Sequence, residues 1–200
     1  MQSFWKIVFC FLIGSFSELY SQSRLVGWVE SENAVQKNIT EPKMNIYLQS
    51  YSSHNSVELW AYSRISKSNM GIYSGFTLVP NRNSWIQLGL AYGLTSKPFL
   101  RELEDQYAAQ VLAGSEDIQF ISFYEDNLRN TDWWYKSTFT IKYAKNLRIG
   151  IHSERGLGTG PYGIWKLKSL NLEFWSSILT DSPTFKNPIT WMLGLKLNSF

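Results

Sequence analysis

The chain has little cysteine, little net charge and only one long apolar run, and each shortage excludes a class of protein. Its one cysteine, Cys10, lies inside that apolar run. A mature chain that has lost the run therefore has no disulfide, no cysteine-ligated metal and no thiolate nucleophile. A net charge of +3 over 200 residues is too small to indicate a nucleic-acid partner. The length fits one domain.

The apolar run, IVFCFLIGSF at residues 7–16, follows Lys6 and precedes a stretch rich in serine. One positive charge, a short apolar segment and then small residues are typical of a secretory signal peptide. The run is shorter than the roughly 20 residues that a membrane-spanning helix needs. We therefore predict a signal peptide over residues 1–23, cleaved between Ser17 and Ser23, and a single domain over residues 24–200.

The rest of the chain alternates apolar and polar residues with a period of two, which predicts half-buried strands. In WIQLGLAYGL, residues 85–94, Leu88 and Leu90 share one face, whereas Gly89 and Gly93 share the other. The same alternation recurs in MNIYLQS, VELWAYSRI, WWYKSTFTIKYA and ITWMLGLKLN. Short turn clusters such as SSHN and AKN separate the runs, so we expect antiparallel pairing of consecutive strands. The pattern predicts about ten strands, within a range of eight to twelve.

The less apolar face of each strand indicates what surrounds the sheet. These faces carry Gly, Ala, Ser, Thr, Gln and Asn with scattered charges, whereas a water-exposed face would be rich in Lys, Glu and Asp. Aromatic residues flank the apolar face of WWYKSTFTIKYA, with Trp133 and Tyr135 at one end and Tyr143 at the other, as in lipid-facing strands. Residues 24–200 thus resemble a small bacterial outer-membrane β-barrel protein, and the strand pattern runs to a terminal aromatic, Phe200, as is common in that class.

The resemblance implies an all-β fold, an antiparallel up-and-down transmembrane β-barrel in the bacterial outer membrane. It implies outer-membrane lipid and the barrel-assembly machinery as partners, and no nucleic acid. The longest predicted connections, residues 32–43 and 95–116, are expected outside the cell, where they are candidates to bind an extracellular ligand. Within the second connection, residues 98–112 have one apolar stripe and predict a short helix in a long loop.

The lumen of the predicted barrel receives charges of both signs, which a narrow barrel filled by side chains pairs with one another. By strand parity they are Glu58, Arg64, Lys136, Lys142, Arg148, His152, Glu154, Glu173 and Lys196. Only His152 and Glu154 suggest catalysis, because a histidine oriented by a carboxylate is half of a catalytic triad. Ser153 points to the opposite face. The spacing of residues suggests no metal site and no phosphate-binding loop, so we expect neither metal nor cofactor.

The predicted function is a structural, adhesive or surface-binding role without an open pore, because a barrel of about ten strands is narrow. An enzyme is not expected. Two alternatives remain open. One is a secreted, soluble β-sandwich or lipocalin-like protein that binds carbohydrate or lipid, and the other is a barrel enzyme that modifies lipid A through His152 and Glu154.

Overall fold

A computed structural model of the protein describes residues 24–36, 39–51, 57–66, 70–81, 86–96, 103–126, 133–181 and 189–199. Twelve strands account for nearly all of this part of the chain. They are β1 (Arg24–Gln36), β2 (Ile39–Tyr51), β3 (Val57–Ser66), β4 (Met70–Asn81), β5 (Ile86–Ser96), β6 (Leu103–Gly114), β7 (Ile118–Asp126), β8 (Trp133–Ala144), β9 (Leu147–Glu154), β10 (Gly158–Leu167), β11 (Leu172–Leu179) and β12 (Thr190–Ser199). A short 3-10 turn, Lys168–Leu170, joins β10 to β11. The predicted signal peptide and the terminal Phe200 lie outside the described residues.

The sheet closes on itself. Each strand pairs antiparallel with its neighbours in sequence, and β1 pairs with β12 from Gly27–Ser199 to Gln36–Thr190. Closure leaves no unpaired strand edge, which is the condition for strands to cross a hydrocarbon layer. The first residue of β1, Arg24, and the last residue of β12, Ser199, lie at the same end of the barrel, which we call the terminal end. We call the opposite end the far end. None of the helices within the described ranges is long and apolar enough to cross a membrane.

Two expectations about the elements are wrong: the barrel has twelve strands rather than about ten, and residues 98–112 do not form a helix where the structure describes them. That segment contributes β6 instead. In β6, Tyr107 faces outward and is 46 % exposed, while Gln106 and Gln110 are buried in the lumen. β6 pairs with β5 over Leu103–Ala113 and with β7 over Tyr107–Gly114, so tertiary pairing overrides the helical propensity of the segment.

The two predicted long loops are also mostly strand. Residues 32–43 include the end of β1 and the start of β2, and residues 95–116 include all of β6. The glycine-rich turn at 155–157, between β9 and β10, lies at the far end. The prediction that these two segments bind an extracellular ligand stays untested. It now concerns strands and strand ends, because the segments are not long loops.

The outer surface of the barrel carries the apolar side chains that the alternation predicted. Leu90 of β5 and Leu195 of β12 are 58 % and 47 % exposed, respectively. On the opposite face of β5, Gly89 and Gly93 are buried, and a Cβ at either position would collide with lumen side chains or, at Gly93, also with the backbone of β4. The face assignments made from the sequence are therefore confirmed for these residues, and the apolar face surrounds the barrel.

Candidate functional site

A row of ion pairs crosses the lumen in its far half. Its members are Lys43 Nζ and Glu154 Oε1 at 2.7 Å, Arg64 Nη2 and Glu125 Oε2 at 2.8 Å, and Lys136 Nζ, which bonds Glu32 Oε2 and lies 3.5 Å from Glu30 Oε2. We call these seven residues the cross-lumen ion pairs. The shorter path around the wall from β2 to β9 runs through β1, β12, β11 and β10, which is nearly half of the barrel. The pairs therefore join the wall of β1–β3 to the wall of β7–β9.

Two tryptophan rings support the cross-lumen ion pairs. The guanidinium of Arg64 lies 4.4 Å from the ring centroid of Trp134, and Trp134 Nε1 donates to Glu154 Oε1 at 3.1 Å. Trp175 repeats the arrangement: Lys136 Nζ lies 4.8 Å from its ring centroid, and its Nε1 donates to a carboxylate of β1 at 2.6 Å. Each indole thus offers a π face to a cation and an N–H to an anion, which orients both charges.

Three of the carboxylates have spare hydrogen-bonding capacity. Among the residues that the structure describes, no hydrogen-bond partner is found for Glu32 Oε1, Glu125 Oε1 or Glu154 Oε2. The three side chains are only 1–2 % exposed. A buried charged acceptor without a partner is costly, so each of these oxygens is a favourable acceptor for a donor that enters the lumen.

His152 and Glu154, the two candidate catalytic residues, do face the lumen together. The His152 ring is fully buried, and its Nε2 lies 3.6 Å from Glu154 Oε2, beyond hydrogen-bond distance. Ser153 points to the outer face, where its hydroxyl lies 3.1 Å from that of Tyr135. The parity argument against Ser153 as a partner of His152 therefore holds in the structure, and the catalytic role of His152 and Glu154 stays an untested prediction.

Aromatic rings occupy the lumen on the terminal side of the ion pairs. Trp28 stacks on Tyr47 with ring centroids 5.5 Å apart, and Tyr47 stacks on Trp60 at 5.9 Å. Tyr62 stacks on Phe123 of the opposite wall at 5.6 Å. The sequence placed several of these rings on the less apolar strand faces without indicating that they meet, since the contact between β3 and β7 exists only in the closed barrel.

A cavity of about 480 Å³ extends from the cross-lumen ion pairs towards the terminal end. We call it the vestibule; its lining includes Trp28, Gln87, Gln119, Lys166, Glu173 and Lys196. Lys166 Nζ pairs with Glu173 Oε1 at 2.8 Å, and Lys196 Nζ lies 4.8 Å from the ring centroid of Trp28. The volume is within the range of small-molecule sites, which span roughly 300–1,000 Å³.

The lumen charges predicted from parity separate into three places. Arg64, Lys136 and Glu154 belong to the cross-lumen ion pairs, and Glu173 and Lys196 line the vestibule. His152 lies beside Glu154, and the other three lie nearer the terminal end: Glu58 accepts a hydrogen bond from Gln49, Arg148 donates to the backbone oxygens of Glu116 and Asp117, and Lys142 pairs with Glu116 at the β6–β7 turn. The hydrogen bond from Lys142 holds the pKa of the exposed Glu116 carboxyl below its ordinary value.

The sequence pattern did not reveal four of the seven residues of the cross-lumen ion pairs. Glu32 and Lys43 fell inside the segment 32–43, which was interpreted as a loop, and Glu30 and Glu125 lie in strands whose parity was not extended to them. The signal was present, because Glu30 and Glu32 continue the period of two along RLVGWVESENA.

A closed barrel with an apolar outer surface and a polar interior defines the protein as an outer-membrane β-barrel protein. Neither a protein-family model nor a curated protein sequence matches the chain. Among solved structures, the fold is similar to the KdgM porin, with a TM-score of 0.56 and 12% identity over 86% of this chain and 99% of that one. A KdgM porin in complex with disordered oligogalacturonate matches with 13% identity. The NanC porin matches with a TM-score of 0.51 and 5% identity over 84% of this chain and 98% of that one.

The expectation of a barrel without an open pore is wrong. It depended on a barrel of about ten strands, whereas twelve strands enclose a wider lumen. The fold is similar to that of the KdgM and NanC porins, and the lumen holds the vestibule. The alternative of a soluble sandwich or lipocalin-like protein does not fit either, because large apolar side chains cover the outside of the closed barrel. The outer-membrane location and the resemblance to small outer-membrane barrels are confirmed.

Proposed function

We propose that the protein is a channel that lets small polar solutes cross the outer membrane. The observation that carries the proposal is the polar lumen of a closed twelve-stranded barrel, with a vestibule of about 480 Å³. Barrel diameter grows with strand number, and lumen side chains then set the selectivity of the passage. The similarity in fold to the KdgM and NanC porins supports the proposal.

The charges that face the lumen favour neither cations nor anions as a class. Among the side chains that the structure describes, the positive ones are Lys43, Arg64, Lys136, Lys142, Arg148, Lys166 and Lys196, and the negative ones are Glu30, Glu32, Glu58, Glu104, Glu125, Glu154 and Glu173. A passage with charges of both signs along its wall has no strong net field to concentrate one sign of ion. We therefore expect weak selectivity between K⁺ and Cl⁻.

Planar-bilayer recording with the refolded full-length protein tests the proposal. We expect discrete conductance steps in KCl and a reversal potential near zero in a KCl gradient. The variant Trp134→Ala removes a ring that contacts Arg64 and Glu154 inside the lumen, so its steps should be larger than those of the wild type.

The matched control is Trp191→Ala, which removes a ring from the lipid-facing surface, where Trp191 is 53 % exposed. Its conductance should equal that of the wild type. Protein that is folded by heat-modifiable gel mobility but gives no steps in either form would refute the channel. Equal steps from Trp134→Ala and wild type would show that current does not pass this region of the lumen.

A further inference from the structure

We infer that the solutes for which the channel is selective are zwitterions, and that they bind between the two walls that the cross-lumen ion pairs connect. This inference rests on the proposed channel function and deepens it. The inference is drawn from one layer of the lumen in which cations and carboxylates alternate. The two partners of each ion pair in this layer come from opposite walls.

A solute that binds between the two partners of an ion pair must separate them. Lys43 and Glu154 are 2.7 Å apart and Arg64 and Glu125 are 2.8 Å apart, so no solute fits between the partners while they touch. Separation leaves a buried cation on one wall and a buried carboxylate on the other, and uncompensated buried charges are strongly unfavourable. The free energy of entry therefore depends on how many of these charges the solute itself satisfies.

Four classes of solute differ in that respect. A neutral solute leaves both separated charges without a counter-charge. An anion pairs with Arg64 or Lys43 but leaves the separated carboxylate without a counter-charge. A cation pairs with the carboxylate but leaves the arginine or lysine without one. A zwitterion presents a carboxylate to the cation and an ammonium to Glu125 or Glu154, so it replaces both halves of the pair that it separates.

Two further features favour an ammonium at this position. Glu32, Glu125 and Glu154 each keep one buried oxygen for which the described residues supply no hydrogen-bond donor, so an ammonium meets free acceptors. The rings of Trp134 and Trp175 already hold a cation over one face each, and an ammonium that displaces that cation gains the same cation–π contact. The binding layer thus contains separate places for the two ends of one small zwitterion.

A set of four triglycine derivatives separates these classes at nearly constant size. Triglycine is zwitterionic, N-acetyl-triglycine is an anion, triglycine amide is a cation, and N-acetyl-triglycine amide is neutral. We expect triglycine to interrupt the KCl current of the wild-type channel at a concentration about tenfold lower than any capped form, as for a gain of one charge-assisted contact.

The variant Arg64→Met removes the cation that receives the carboxylate of the solute, so it should raise the half-blocking concentration of triglycine about tenfold while changing that of triglycine amide little. Lys136→Met tests the same point if Arg64→Met fails the gel-mobility assay for folding. The matched control is Lys145→Met, which removes an exposed cation in the β8–β9 turn. Triglycine should block the current of this variant at the same concentration as that of the wild type.

The outcomes distinguish the inference from the function on which it rests. Current steps in KCl with equal block by all four peptides overturn the zwitterion site and leave the channel intact. Strongest block by a singly capped peptide also overturns it. Folded protein without current steps overturns the channel and the zwitterion site together.

Discussion

Arginine in place of Leu90 should destabilise the barrel strongly, because Leu90 lies near the middle of the bilayer. It is the fifth of the 11 residues of β5 and is 58 % exposed on the outer surface. A strand rise of about 3.4 Å per residue at a tilt of about 40° advances about 2.6 Å along the membrane normal. Leu90 is therefore about 3 Å from the centre of its strand. An arginine that faces lipid at this depth lowers the free energy of unfolding by about 2–4 kcal/mol.

The matched control is Ile118→Arg. Ile118 is the first residue of β7 and is 47 % exposed on the same outer surface. It is four residues, or about 10 Å, from the centre of its strand, where an apolar band about 25 Å tall gives way to the interface. The same substitution should then cost only about 0–1 kcal/mol.

Reversible unfolding in guanidinium chloride, in the presence of phospholipid vesicles and followed by tryptophan fluorescence, measures both free energies. Heat-modifiable gel mobility reports independently on the fraction that is folded. A difference of at least 1 kcal/mol between the two variants is expected from the depth dependence. Equal free energies of unfolding for Leu90→Arg and Ile118→Arg would refute the reasoning, because they would show that depth in an apolar layer does not determine the cost.

Two further perturbations test the lumen wall and the terminal end. A Cβ at Gly194 would lie 2.1 Å from the indole of Trp175, so Gly194→Ala should lower the free energy of unfolding by about 1–3 kcal/mol. The control is Gly163→Ala, which should be neutral because nothing lies within 4 Å of the added Cβ. Equal midpoints of unfolding in guanidinium chloride for the two variants would contradict this prediction. The pKa of Glu116 is lowered in the folded protein by its hydrogen bond from Lys142, so the stabilisation is present above the ordinary value of 4.5 and is lost as pH falls below it. Glu116→Gln should therefore flatten the dependence of the unfolding midpoint on pH in the acid range, and an unchanged slope would show that this pair does not contribute.

The proposed channel and its zwitterion site depend on different parts of the lumen. Conduction requires a polar passage through the whole barrel, of which the vestibule of about 480 Å³ is one part. Selectivity for zwitterions requires the particular alternation of Lys43, Arg64 and Lys136 with their carboxylate partners. A variant of Arg64 can thus change the preference among peptides while the KCl current continues, which makes the two statements separately measurable.

The sequence by itself determined which way the side chains of the recognised strands point. The strict period of two placed Leu90 and Leu195 outside and Gly89, Gly93 and Lys196 inside, and a slip of one residue would have reversed every one of them. Local composition was enough here, because the direction of a side chain on a strand depends only on its position in the alternation.

Only the tertiary structure decided the number of strands and the composition of the site. Residues 98–112 have a helical stripe, and pairing with β5 and β7 makes the described part a strand. Lys43 and Glu154 are 111 residues apart in sequence, and their contact exists because β1 and β12 close the sheet. Parity assigns a residue to the lumen, but which residues meet there depends on the number and register of the strands around the whole barrel, and no local pattern encodes either.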